Sequence, residues 1–287
     1  MAKTRELKRR IRSLGKTKQI TRTMELVATA RMKQTQNRLL SARPFIEKMW
    51  GILDSVNLEE YVPEFPLLQE REEVRRVALL VVTSNRGLCG AFNANVIRLA
   101  RSEIAEIESA GLEAELHVIG KKGINVFRYR GYEVASSRVD IGDKPRYEQG
   151  AEIAAHFVDK FLRGEIDQFR IIYASYQSVA HHPPAVRTIL PLKMDASEQE
   201  KSMEYLLEPS PAEILAVLLP RIVESRVYQA LLESAAGEQA ARRIAMKNAT
   251  DNADELIRLL TRKYNRARQA LITEELSEIV GAADALA

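Results

Sequence analysis

Residues 245–271 read AMKNATDNADELIRLLTRKYNRARQAL, and the spacing of their apolar residues decides the architecture. Ala245, Ala249, Ala253, Leu256, Leu260, Tyr264, Ala267 and Leu271 recur at steps of 4, 4, 3, 4, 4, 3 and 4. This is the period of an amphipathic helix. Its 11-residue repeat predicts a nearly straight or slightly right-handed winding rather than the left-handed supercoil of a heptad pattern. The four alanines in the seam suit close approach of a neighbouring backbone. One face of an ordinary core helix is the plain alternative, but the length argues against it. The stretch belongs to the 77 residues from Pro211 to Ala287, in which only Pro220, Gly237 and Gly281 are candidate breakers. A helix of that length reaches on the order of 110 Å, whereas globular helices run about 8–20 residues. It needs a partner helix or an enclosing sleeve.

The other end of the chain supplies a matching helix, predicted over about 3–58 and free of glycine between Lys16 and Trp50. From Ala28 onward, Met32, Thr35, Leu39, Ala42, Ile46, Met49, Leu53 and Val56 alternate steps of 4 and 3, a coiled-coil seam of about four heptads. Pro44 is expected to kink or loosen it. Before Ala28 the pattern is less regular. Thr17, Lys18 and Thr21 stand where apolar residues would be expected, so this stretch is expected to face something polar.

Charge is divided unevenly. Residues 1–50 carry 14 Lys/Arg against Glu6, Glu25 and Glu47, a net of +11 in a chain whose total is +4. A basic helix is most often a solvated face. The sharper readings are nucleic acid, an anionic membrane or an acidic protein. No aromatic residue precedes Phe45, so bases have nothing to stack on, and the broad Trp/Phe/Leu face of a membrane-surface helix is missing. An acidic protein surface is the expected partner. A basic coiled-coil protein that binds nucleic acid is the alternative from charge alone.

Between about 74 and 207 the pattern changes to short apolar runs alternating with helices. Strands are predicted at Val77–Val82, Glu113–Ile119, Tyr132–Val139 and Phe169–Gln177, with an edge strand at Thr188–Lys193. Helices are predicted at Asn93–Ala110, just after Gly120, and at Tyr147–Arg163. The fold class is therefore α/β: a long antiparallel two-helix coiled coil with an inserted Rossmann-like sheet domain. The segments are 1–60 for the N-terminal helix, 74–207 for the sheet domain and 211–287 for the C-terminal helix.

No catalytic constellation emerges from the inserted domain. Thr83–Gly90 superficially resembles a phosphate-cradling turn, but neither it nor Gly120-Lys121-Lys122-Gly123 fits a dinucleotide or P-loop template. An α/β enzyme with helical arms would need a ligand there, so it stands as a second alternative. Cys89 is the sole cysteine, which excludes an intramolecular disulfide and a cysteine-only zinc site. It reads as a small packing residue rather than a nucleophile. His181 and His182 precede Pro183-Pro184 in a stiff loop, and His117 and His156 lack ligand spacing. No cofactor, metal or catalytic residue is expected. With no leader or membrane-spanning run visible, the chain reads as soluble and intracellular, meeting the membrane only through partners.

Four segments carry a family resemblance: Ile20–Ala28, Ser84–Gly90, Glu238–Arg242 continuing to Met246 and Ala249–Ala253, and Tyr264–Gln269 with Ile272–Leu276. By these the chain resembles the gamma subunits of F-type ATP synthases, over essentially its whole length. In that family two closing glycines are usual, where this sequence has Gly281-Ala282, and alanine favours continued helix. The inserted cysteine pair of the redox-regulated chloroplast form is also absent. The resemblance implies a central rotor shaft inside a hexamer of alpha and beta subunits. The sheet domain then meets the epsilon subunit and the membrane c-ring, on the cytoplasmic face of a bacterial plasma membrane. It further implies that Lys8, Arg9, Lys18, Arg22, Met24 and Arg31 face acidic loops of the beta subunits. Arg268, Gln269, Thr273 and Glu275 match polar contacts to the beta subunit, and Tyr205 and Glu208 approach the c-ring and epsilon subunit. Beyond about Leu271 the C-terminal helix is expected to lack its partner helix and meet only the enclosing subunits.

Overall fold

A computed structural model describes residues 2–54, 56, 58–193 and 208–284. Two helices dominate: α1 (Ala2–Asp54, 53 residues) and α6 (Pro211–Asp284, 74 residues). Helix α1 runs on through Pro44, and α6 through Pro220, Gly237 and Gly281. Ser210 caps the start of α6, its hydroxyl accepting from the Glu213 amide at 3.2 Å, with Pro211 at the first helical position. The chain divides into two compact units, one of Met1–Ala28 with Arg243–Ala287, the other of Thr29–Arg242.

In the first unit α1 and α6 are antiparallel. Lys18 Nζ reaches Asp254 Oδ1 at 2.5 Å, and the Thr21 and Thr250 hydroxyls meet at 2.8 Å. The covered stripe of α1 is Thr4, Leu7, Ile11, Leu14, Lys18, Thr21, Glu25 and Ala28, a heptad pattern. The expected break in regularity is thus one of chemistry rather than spacing, and what the polar stretch faces is the polar side of α6. On α6 the covered residues are Met246, Thr250, Ala253, Ile257, Leu260, Tyr264, Ala267 and Leu271. Leu256 is 48% exposed, so the seam passes through Ile257 instead. This corrects the 11-residue repeat: the steps alternate 4 and 3, the spacing that goes with left-handed winding.

In the second unit the heptad stripe of α1 turns apolar and buried. Met32, Thr35, Ile46, Met49 and Leu53 are all covered, as is Val56 just past the end of the helix. A short helix α2 (Leu58–Tyr61) and a 3-10 turn (Pro66–Leu68) lead into the sheet. The sheet has the order β3-β2-β1-β4-β5, with β1 Arg76–Val82, β2 Glu113–Ile119, β3 Ser136–Arg138, β4 Gln168–Ala174 and β5 Pro184–Leu190. The first four strands are parallel, and β5 is an antiparallel edge. Three strands differ from their predicted spans by more than one residue, β4 ending at Ala174 rather than Gln177. Strand β3 keeps only the three residues that pair with His117–Ile119. Strand β5 starts earlier, because its ladder to β4 begins at Pro184, and proline is tolerated at a strand's first position.

Strand β1 shows why the sheet is covered on both faces. Ala78, Leu80 and Val82 enter one core, shared with α5 (Tyr147–Leu162) and with apolar residues of α1 and α6. Val77, Leu79 and Val81 enter the other, under α3 (Phe92–Ser109) and α4 (Lys121–Tyr129). Alternation with a period of two puts successive residues on opposite faces, and burial of both makes the run continuously apolar.

Candidate functional site

The strand order reverses direction at β1, between β2 on one side and β4 on the other. In open α/β sheets the crevice beyond the carboxyl ends of strands at such a point is where ligands bind. Here that crevice is filled. Leu231, Ser234, Ala235 and Glu238 of α6 line it together with Thr83, Asn85 and Asp143, leaving a cavity of about 20 Å³. That is room for about one water molecule.

Several backbone donors at these two turns are also engaged. At the start of α4 the Lys121 amide donates to Asn85 Oδ1 (3.0 Å), Lys122 to the Ser84 carbonyl (3.1 Å) and Gly123 to Thr83 Oγ1 (3.0 Å). After β1 the Ser84 amide donates to Asn93 Oδ1 at 2.9 Å. The glycines serve close packing. Gly120 has φ +97°, and a Cβ there would stand 2.1 Å from the Thr83 carbonyl oxygen. The resemblance to a phosphate turn is one of composition only. Cys89 is buried beside Ser84 and Asn93, and burial pushes its thiol pKa up, away from the thiolate a nucleophile requires.

Several charged groups elsewhere in this unit are paired. Glu238 and Arg242 form a buried ion pair at 2.6 Å, and burial raises the Glu238 carboxyl pKa. Arg242 also reaches the Gly87 carbonyl at 3.4 Å. His117 on β2 is buried against Phe157, with Nε2 2.9 Å from Glu115 and Nδ1 2.6 Å from the Ser136 hydroxyl. Burial pushes its pKa down to about 4. Lys160 holds Glu115 from the other side. Among the described residues no group of three or more His, Cys, Asp or Glu is arranged to hold a metal ion, and no helix is long and apolar enough to cross a membrane.

The expected contact residues fall in separate places. In the first unit Lys8, Arg9 and Arg22 are exposed and Met24 is half-buried. Lys18 is engaged by Asp254, whose carboxyl pKa the Lys18 hydrogen bond lowers. Arg268 and Gln269 are exposed, and the Thr273 hydroxyl donates to the Gln269 carbonyl at 3.0 Å, turned back onto its own helix. Beside them Ile272, Leu276 and Ile279 are 46%, 57% and 65% exposed. Their spacing of 4 and 3, displaced from the covered stripe, is the signal that could have singled them out. The side chain of Glu275 and the whole of Tyr205 lie outside the described residues. In the second unit Glu208 is exposed just before α6, and Arg31 is paired with Asp143.

Comparison with known proteins places the whole chain in a family. A family model described as ATP synthase matches residues 3–286. The chain is 49% identical over 288 residues to the ATP synthase gamma chain of Gemmatimonas aurantiaca, covering 100% of this chain and 99% of the relative. It is 42% identical over 301 residues to that of Mycobacterium tuberculosis, covering 100% and 98%. Among solved structures it is similar to a chain of the Euglena gracilis mitochondrial ATP synthase (OSCP/F1/c-ring), with a TM-score of 0.67, 21% identity and coverage of 99% and 95%. A chain of the Tetrahymena thermophila mitochondrial ATP synthase, from its central stalk and c-ring, gives 0.59 at 23% identity, covering 80% and 99%.

Proposed function

Because the chain belongs to the ATP synthase gamma-chain family, whose members are non-catalytic rotor subunits of the central stalk, we propose that it transmits torque between a membrane c-ring and a catalytic alpha/beta hexamer. One observation carries the proposal furthest. Among the described residues the covered stripe of α6 runs as far as Leu271. Past it, the described side chains of α6 are exposed, with Ile272, Leu276 and Ile279 next to Arg268 and Gln269. A lone amphipathic helix in water is marginal, so this segment calls for an enclosing surface. Apolar contact with no directional bonds lets a helix turn within such a sleeve.

The exposed basic residues of α1, Lys8, Arg9 and Arg22, then face acidic loops of the beta subunits, with Met24 at the same surface. Exposed pairs are each weak, at or below ~1 kcal/mol, so they form and break readily as the rotor turns. Arg268, Gln269, Thr273 and Glu275 contact the beta subunit further along, and Tyr205 and Glu208 approach the c-ring and epsilon subunit. The subunit works at the cytoplasmic face of a bacterial plasma membrane and is held there through its partners, without nucleic acid or cofactor. Co-purification with alpha and beta subunits at one gamma per hexamer tests the reading. A chain that elutes alone when coexpressed with both would overturn it.

A further inference from the structure

Apolar packing holds α1 and α6 against the sheet, but it is non-directional. Packed helices accommodate shear through small sliding adjustments. Torque loads that interface in shear. The groups that resist it are directional: hydrogen bonds and ion pairs that weaken steeply when misaligned.

Within the second unit, two loops at the carboxyl end of the sheet offer such groups to the helices. Tyr176, between β4 and β5, grips both at once. Its hydroxyl accepts from Gln36 Nε2 of α1, and its backbone N–H donates to Glu233 Oε2 of α6 at 3.2 Å. Gln229 holds the other Glu233 oxygen at 2.9 Å. Asp143, between β3 and α5, has a side chain only 16% exposed, paired with Arg31 of α1, with Arg86 of the β1–α3 loop 3.7 Å away. Arg31 and Gln36 are separated by about 7.5 Å along the helix axis, so α1 is held at two heights by two different loops.

We propose that Tyr176 and Asp143 are positioning residues for torque transfer, fixing the angular register of the two helices against the sheet. The proposal rests on the rotor reading above. Neither residue packs in the apolar core, and losing either leaves that core intact.

The test uses the assembled, membrane-bound complex carrying Tyr176→Phe with Asp143→Asn. ATP hydrolysis is expected to stay within about twofold of the wild type. Proton pumping per ATP, read by quenching of a pH-sensitive dye in inverted vesicles, is expected to fall roughly five- to tenfold, the factor that one or two lost hydrogen bonds set in an equilibrium. The conservative Asp143→Glu change should restore most of the ratio lost with Asp143→Asn. Tyr176→Phe alone removes a single oxygen and keeps the question open to measurement should the double variant assemble poorly. An unchanged pumping ratio in that single variant and the double one overturns the joint. So does a fall in hydrolysis that tracks the fall in pumping, which marks a merely structural role. A wild-type complex that hydrolyses ATP without pumping overturns the rotor reading instead.

Discussion

The two stretches of α1 follow one heptad spacing with opposite chemistry. From Met32 to Leu53 the stripe is mostly apolar and buried, and from Ile46 onward it shares one core with α6, α5 and the sheet. From Thr4 to Glu25 the stripe is only half-buried, and its centre is Lys18, Thr21 and Glu25. A single partner helix covers one narrow stripe and leaves the flanks in water, so polar residues can remain hydrated there while still setting register. Periodicity tells where a helix is covered. The chemistry along the stripe tells by how much.

The sharpest way to break this contrast is to remove one charge of a buried ion pair. Glu238→Gln leaves Arg242 buried without its counter-charge and is expected to cost about 3–5 kcal/mol, read from urea unfolding of the isolated subunit. A loss as small as that of an exposed pair would mean water reaches Arg242 freely. Leu53→Ala in the buried seam is expected to cost about 2–5 kcal/mol. Leu14→Ala, the equivalent change in the half-buried seam, should cost clearly less. Equal losses would erase the distinction between the two stretches.

Acid should act on the same buried interior. Unfolded histidine takes up its proton near 6.5, whereas folded His117, faced by Glu115, Lys160 and His156, does so only near 4. Between those values the unfolded chain binds more protons, so stability falls as pH drops through that window. The loss is about 3 kcal/mol when complete. His117→Gln should flatten the slope of unfolding free energy against pH there, and an unaltered slope would assign it to other groups.

The half-buried region is expected to respond least. Lys18→Met should shift the melting temperature by less than any change above, and the shift should shrink in high salt because the pair is open to screening. Smallest in stability is Arg268→Ala with Gln269→Ala, on an exposed surface of α6. Melting should stay put while coupled turnover of the assembled complex falls. The opposite pattern would make these residues structural.

The same contrast governs what could be read from the chain. The apolar heptads from Ala28 to Val56 announced a coiled coil because burial there is nearly complete. The stretch before Ala28 hid its heptads behind Lys18 and Thr21, whose partners, Asp254 and Thr250, are more than two hundred residues away in sequence. Leu256 and Ile257 are neighbours of nearly equal hydrophobicity, so only register against α1 decides which of them faces inward. Strand β1 was readable from its continuous apolar run. Strand β3 was overextended because Tyr132 and Val134 pack beneath the sheet edge from a loop, with the alternation of a strand but no ladder. The nucleotide-like sheet was legible, but its filled crevice was not, since the residues that fill it come from the far end of the chain.

That filled crevice has a regulatory consequence. Helix α6 acts as a built-in occupant of the slot, tethered at an effective concentration that a diffusing metabolite would have to exceed to displace it. A ligand could enter the slot only by pushing aside Leu231, Ser234, Ala235 and Glu238. On the rotor reading proposed above, the sheet answers to force passed through its helices and loops rather than to a ligand in its crevice.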